Sequence, residues 1–330
     1  MAAPPAAVTL RPYRGGDERG IVDAWNAALT YDPITLDRFV RSVLCDANFQ
    51  PEGLVVAAEG ERIIGFVLAV ERRVPLFGAD LEPATGWVTA LGVRPEWQRQ
   101  GVGRVLLAAA EHFLAARGKE RVLVSPYAPN YFWPGVDREA YPRAYALLEA
   151  AGYARRYVAA AMDRSLVGFR VPEDVRRLEE ARVAEGYAFL PLAPERLTAV
   201  VDFAHREFSP DWGRSVREAA LHGAAWDQTL VALDPAGRVV GFAMHGAYGG
   251  SPERFGPFGV DARERGKGLG KVLLYKSLEA MAARGLHGAW FLWTGEETPA
   301  GLLYLRAGFT VTRRFHVMEK KLAGAARGEA

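Results

Sequence analysis

The sequence predicts an α/β chain that carries one fold twice, and three observations predict it. The first is a repeat: FGVDARERGKGLGKVLLYKSLEAMAARG at 258–285 is a near copy of LGVRPEWQRQGVGRVLLAAAEHFLAARG at 91–118. Gly268, Gly270 and Gly285 follow Gly101, Gly103 and Gly118 at one constant offset, with no gap. A fixed offset across a whole supersecondary unit marks an internal repeat. The second is the order of elements, in which short β-branched or apolar runs alternate with amphipathic helices. The third is size: 330 residues, 50% of them hydrophobic and 24% charged, suit two soluble domains, each with its own core.

Taken in order, residues 7–13 read as a strand, 18–28 and 36–45 as helices, and 54–58 with 62–71 as a hairpin turning near Glu59-Gly60-Glu61. Residues 87–93 form the strand ahead of the first glycine turn. In the helix that follows, Leu107, Ala110 and Leu114 recur at helical spacing, and Gly118 is its stop. Residues 122–124 and 157–162 read as strands, the second closing the first domain, and 171–183, rich in Arg and Glu, as a solvated connecting helix. The second domain restarts with strand 187–192, helices 194–208 and 216–222, and a hairpin of 230–233 with 238–248 about Asp234-Pro235-Ala236-Gly237. Strand 255–260 leads into the second glycine turn, whose helix carries Leu274, Leu278 and Met281; strands 289–293 and 310–320 follow. The expected division is 1–167, a connector 168–184 and 185–330, with 322–330 a disordered tail.

Glycines ahead of a helix let backbone without Cβ atoms approach a ligand, and the first free N–H groups of the helix then point at it. The expected guest is a phosphate or pyrophosphate. The dinucleotide fingerprint G-x-G-x-x-G fails, because Leu106 and Leu273 stand at the third glycine. The Walker pattern fails too: Gly270-Lys271 is followed by Val272, and Arg265 stands where the first glycine belongs. What remains is Gln98-x-x-Gly101-x-Gly103 and Arg265-x-x-Gly268-x-Gly270. This resembles, twice over, the Q/R-x-x-G-x-G/A pattern of the GNAT superfamily of acetyl-CoA-dependent N-acyltransferases.

That resemblance implies a fold of two tandem domains, each a strongly twisted mixed β-sheet flanked by helices, with acetyl-CoA as co-substrate and no metal. It implies that coenzyme A is held by Leu91, Val93, Gln98, Arg99, Gln100, Gly101, Val102, Gly103 and Arg104 in the first copy. In the second copy it implies Phe258, Gly259, Val260, Arg265, Gly266, Lys267, Gly268, Leu269, Gly270 and Lys271. Ala300, Tyr304, Gly308 and Phe309 match the family's A-x-x-x-Y-x-x-x-G-F pattern, in which the tyrosine sits beside the thioester sulfur as general acid. Thr298 and Pro299 start that helix and Gly308 stops it. In the first copy the same spacing back from Gly152-Tyr153 lands on Leu148, which has no proton to give. With tyrosine near pKa 10 and a thiol near 8.5, full proton transfer to a thiolate is uphill by about 2 kcal/mol, so hydrogen bonding to the leaving sulfur is the smaller demand. Glu253, Glu296, Glu297 and His245 are the candidate bases for the incoming amine, Glu253 and Glu297 foremost, and a backbone N–H around Phe258 or Val260 would meet the oxyanion.

Charge and cysteine bound the partners. Lys and Arg number 41 against 39 Asp and Glu, so nucleic acid is not expected as a partner. Arg263, Arg265, Lys267 and Lys271 nevertheless cluster at the second turn, either as a solvated helix end or as contacts to coenzyme A phosphates. Cys45 is alone, which points to a reducing, cytoplasmic setting, and reads as a buried structural thiol. No leader or apolar span is evident, so no membrane is expected. The histidines show no ligand spacing. Residues 125–141, dense in aromatics and proline, read as a packed flap or a substrate wall. Three functions follow: a tandem N-acetyltransferase, monomer or homodimer, whose second domain acetylates a small-molecule or peptide amine; an enzyme with both copies active, Tyr131, Trp133 and Tyr141 serving the first; or an acyl-CoA-binding regulator. The acceptor itself has no motif.

Overall fold

The computed structural model describes residues 8–322 except 79, 225 and 249. Ala7, the start of the first expected strand, and 323–330 of the expected tail lie outside the described residues. Leu322, counted with that tail, donates its N–H to the Glu120 carbonyl at 2.8 Å.

In chain order the elements are β1 (Thr9–Pro12), α1 (Glu18–Ala28), α2 (Leu36–Phe39), β2 (Leu54–Glu59), β3 (Arg62–Glu71), β4 (Thr85–Val93), α3 (Val102–Ala115), β5 (Arg121–Val124), β6 (Val136–Asp137), α4 (Pro142–Ala150) and β7 (Ala154–Ser165). There follow α5 (Glu173–Ala184), β8 (Ala188–Pro191), α6 (Leu197–Glu207), α7 (Pro210–Leu221), β9 (Thr229–Leu233), β10 (Val239–His245), β11 (Phe255–Val260), α8 (Leu269–Ala283), β12 (Gly288–Thr294), α9 (Pro299–Arg306) and β13 (Thr310–Lys321). They form two compact units. Unit 1 holds 8–75, 80–159 and 314–322; unit 2 holds 76–78 and 160–313.

In unit 1, β1 to β4 are antiparallel neighbours, β5 runs parallel to β4, and residues 314–321 of β13 run antiparallel to β5. β3 reads IIGFVLAV without polar alternation because both faces are covered, α3 and α4 packing on one and α1 and α2 on the other. The helix expected over 36–45 is α2, capped by Thr35 accepting from the Arg38 N–H, and then a π-helical turn, Val40–Leu44. Phe39 and Val43 take its inward face, so Cys45, two residues on, is exposed rather than buried. Within 125–141, Tyr127 and Phe132 are buried against the α1–α2 core with Trp133 and Tyr141 beside them, which is the packed flap.

In unit 2, β8 to β11 form an antiparallel sheet with α5 and α8 on one face and α6 and α7 on the other. The helix expected at 216–222 begins at Pro210, after Ser209 accepts from the Trp212 N–H. Gly213, which reads as a breaker, lies inside it because a Cβ there would stand 2.8 Å from the His205 Cβ. The helix expected to be a solvated connector buries Val175, packs Leu178 on the core and ties α8 through Asp174–Lys271 at 2.6 Å, Glu179–Lys276 at 2.6 Å and Arg176–Glu279 at 3.0 Å.

The two long strands depart furthest from expectation. Residues 160–165 of β7, which include 160–162 of the strand expected to close the first domain, belong to unit 2 and pair antiparallel with β12, from Ser165↔Gly288 to Ala160↔Thr294. Residues 314–321 of β13, the last strand of the second copy in sequence, belong to unit 1, with Met318↔Val124 and Phe315↔Asp137. Both strands are 12 residues long and bury residues along part of their length, so each is legible as a strand while nothing local names its neighbour.

Candidate active site

Each unit contains a pair of parallel strands that part company. In unit 1, β4 pairs with β5 from Thr85↔Arg121 to Val88↔Val124, and Thr89 to Val93 continue without that neighbour. In unit 2, Arg254, just ahead of β11, meets Trp290 of β12 at an isolated parallel bridge, beside the bond from the Trp290 N–H to the Glu253 carbonyl at 3.0 Å. A bulge lies at the parting in both. Ala69↔Val88 and Leu68↔Ala90 leave Thr89 as the extra residue; His245↔Phe255 and Ala243↔Phe258 leave one extra residue at Gly256 and Pro257. Bulges of this kind re-aim backbone groups.

The parted strand runs into the glycine turn. Gly101 and Gly268 are the N-caps of α3 and α8, both left-handed, with φ of 85° and 80°, and neither N-terminus has a side-chain cap. Gly101 accepts from the Val105 N–H and Gly268 from the Val272 N–H, each at 3.1 Å, and Gly101 accepts from the Arg104 N–H as well, at 3.0 Å. The remaining first-turn N–H groups and the positive end of the helix dipole favour an anion. Gly103 and Gly270 follow inside the helices, where a Cβ would meet Leu147 at 3.1 Å and Phe258 at 3.4 Å. Leu91, Val93, Phe258, Gly259 and Val260 stand on the parted strands, with Gly259 roofed by Phe208. Val102 and Leu269 are buried and anchor the helix starts.

The charged side chains around the two turns are arranged differently. In unit 1, Gln98 donates to the Val93 carbonyl at 3.0 Å and accepts from Arg143 at 2.9 Å, and Gln100 donates to the Glu96 carbonyl. Arg99, itself left-handed at φ 61°, and Arg104 are exposed and have no acidic partner among the described residues. In unit 2, Lys267 is bound by Glu264 at 2.8 Å and by the Tyr187 hydroxyl at 2.7 Å, Lys271 by Asp174, and Arg263 by Asp261. Arg265 alone there has no acidic partner among the described residues.

Tyr304 lies on α9, where Thr298 caps the start by accepting from the Gly301 N–H at 3.2 Å. It is 7% exposed, inside a cage of Phe291 (4.4 Å between centroids), Phe309 (5.5 Å), Phe258 (6.0 Å) and Phe255 (6.1 Å). Phe258 thereby touches both the turn, at Gly270, and the tyrosine. Burial pushes the Tyr304 hydroxyl above the ordinary tyrosine value, so it keeps its proton, and it has no hydrogen-bond partner among the described residues. Glu253 is half-buried at the closed end of the parted strands, whereas Glu297 is exposed ahead of α9. His245 is buried; its Nδ1 lies 3.0 Å from the Pro252 carbonyl and so carries the hydrogen, leaving Nε2 buried without a partner. Burial first, and Arg284 in part, hold its pKa below the usual histidine value. At the corresponding place in unit 1, α4 presents Leu148, 3% exposed. Tyr145, one turn earlier, faces His316 edge-on at 5.1 Å instead.

A parallel strand that leaves its neighbour at a bulge and feeds an uncapped left-handed glycine turn is the architecture of N-acyltransferases, and it occurs here twice. The sequence profile of the Acetyltransferase (GNAT) family matches residues 22–132, and that of the Acetyltransferase (GNAT) domain matches 225–311. The chain is 29% identical over 282 residues to a mycothiol acetyltransferase of Arthrobacter sp. (strain FB24), covering 82% of this chain and 78% of that one. A second mycothiol acetyltransferase, from Actinosynnema mirum, is 31% identical over 231 residues, covering 68% and 71%. The fold matches a GCN5-related N-acetyltransferase from Sphaerobacter thermophilus with a TM-score of 0.73 at 18% identity, covering 98% of both chains. The chain belongs to the GNAT family of N-acetyltransferases, in the tandem two-domain form. Among the described residues no helix is long and apolar enough to cross a membrane, and no group of acidic, His or Cys side chains could hold a metal ion.

Proposed function

We propose that the chain moves an acetyl group from acetyl-CoA to a primary amine of a small molecule or peptide by direct attack, with the chemistry in unit 2. One observation carries this reading: the phenol of Tyr304 stands in the aromatic cage beside the parted strands of unit 2, and Leu148 takes that place in unit 1. The uncapped turns and the open space beside Gly101 and Gly266 fit a coenzyme A pyrophosphate, held by Gly266 to Lys271 in unit 2 and by Gln98 to Arg104 in unit 1. Acetyl-CoA supplies an activated thioester acyl group. Tyr304 keeps a proton for the departing sulfur. Its raised pKa makes outright transfer more costly than for free tyrosine, so its part is hydrogen-bond donation while the C–S bond breaks, the proton following later. Backbone N–H groups about Phe258 and Val260, re-aimed by the bulge, stabilise the carbonyl oxygen. Glu253, directly or through water, takes the proton that the amine sheds as its C–N bond forms.

The two relatives named as mycothiol acetyltransferases favour a small-molecule acceptor over a protein. Release of thiol from acetyl-CoA against a panel of amines tests the activity. Tyr304→Phe should lower kcat by about a hundredfold or more; a loss within a few-fold would show that unit 2 does not use it. Glu253→Gln should lower kcat by about a hundredfold, and Glu297→Gln should leave kcat within a few-fold.

A further inference from the structure

The cations of the two glycine turns differ in what holds them. At the same position of the repeat stand Arg104 in unit 1 and Lys271 in unit 2. Arg104 has no acidic partner among the described residues, and neither has Arg99. Lys271 is held at 2.6 Å by Asp174, from the first turn of α5, an element with no counterpart among the described residues of unit 1. Lys267, whose place in unit 1 is taken by the uncharged Gln100, is held by Glu264 and by Tyr187. Two lysines beside the unit 2 turn are therefore already neutralised by carboxylates. α5 is also fixed against this turn, since a Cβ on Gly268 would stand 2.7 Å from Leu178.

We propose that Asp174, with Glu264, is an affinity-setting residue of the unit 2 turn: an internal counter-anion that an arriving phosphate must displace from Lys271, so that coenzyme A is held less tightly there than the cations alone would allow. The inference rests on the coenzyme A reading of that turn and adds to it a reason for quick release. In a centre that must discharge free coenzyme A after each acetyl transfer, a carboxylate that returns to the lysine assists departure. The pair is partly exposed, with 37% of the lysine and 63% of the aspartate side chain accessible. Pairs of this kind are worth little, so the effect is one of tuning, about three- to fivefold in Kd.

The test uses the full chain carrying Arg99→Glu and Arg104→Glu, which puts like charge at the unit 1 turn and leaves unit 2 to report. Coenzyme A is titrated calorimetrically at low and at high salt. Adding Asp174→Asn should lower Kd about three- to fivefold at low salt, with a smaller change at high salt because screening weakens the competitor as well. Glu179→Gln is the control: it breaks the 2.6 Å bond to Lys276, further along the same two helices and away from the turn, and should leave Kd unchanged. An unchanged or weaker Kd in Asp174→Asn overturns the proposal. So does an equal gain in Glu179→Gln, which would mean that loosening of α5 is the cause. No coenzyme A binding by either the parent or the variant would instead remove the cofactor reading itself, and the inference with it.

Discussion

The two glycine turns share a backbone and differ in the charged side chains and the facing helix residue set around it. Their N-caps have the same left-handed conformation, the same closing bond length and a bulge at the same point of the preceding strand. Around unit 1 the guanidinium groups are open and the helix facing the parted strands offers a leucine. Around unit 2 the ammonium groups are paired and that helix offers a tyrosine. The backbone suited to an anion is kept in both copies, while the helix residue set against the parted strands is a phenol in unit 2 and a leucine in unit 1.

The sharpest way to break this contrast is to move the chemistry. Tyr304→Phe should abolish nearly all turnover. Leu148→Ala, which hollows unit 1 at the matching place, should cost about 2–5 kcal/mol of stability by denaturant unfolding and change kcat less than twofold. Next in size is one substitution made in both turns. Gly268→Ala meets Leu178 at 2.7 Å as well as the left-handed backbone, and Gly101→Ala meets only the backbone, since nothing lies within 4 Å. Both should lose about 1–2 kcal/mol for the conformation, and Gly268→Ala visibly more, read from thermal melts.

A smaller difference should appear with pH. By pairing register His245 in unit 2 stands where unit 1 has Ala69. Its folded pKa lies below the unfolded value of 6.5, so the unfolded chain binds the proton first. The stability that the neutral ring allows is present above about 6.5 and declines as pH falls below it. His316 in unit 1 is depressed as well, by partial burial and then by Arg155 and Arg138, but it is only half-buried. Melting at pH 5 against pH 7 should therefore show a loss that His245→Gln reduces more than His316→Gln does. The smallest effect concerns Arg99, held at φ 61° where the matching residue of unit 2 is Gly266. Arg99→Gly should relieve that backbone and gain up to about 1 kcal/mol of stability, while weakening coenzyme A binding by unit 1.

What could be read from the chain followed how far each rule reaches. The turns, the Thr298-Pro299 start and the Gly308 stop of α9 depend on neighbours within a few residues, and Tyr304 could be singled out because its helix is bounded by such signals. Thr89 as a bulge could not be read, because an extra residue in a strand is defined only against the strand opposite. The early start of α7 was written in Ser209-Pro210 but masked by Gly213, whose reason is a close approach to His205. Asp174 looked like one more charge on a solvated helix, since nothing in its neighbourhood announces that Lys271 lies 2.6 Å away. The partners of β7 and β13 were hidden for the same reason on a larger scale.

Those two strands decide how the protein can be taken apart. A fragment ending at residue 167 would carry the whole first copy by sequence, yet it would lack the segment 314–321 that flanks β5. One beginning at 168 would lack the segment 160–165 that flanks β12. Neither half of the gene encodes a finished sheet, so reassembly of both halves in one tube, rather than expression of either alone, is the experiment that could return separate pieces to function.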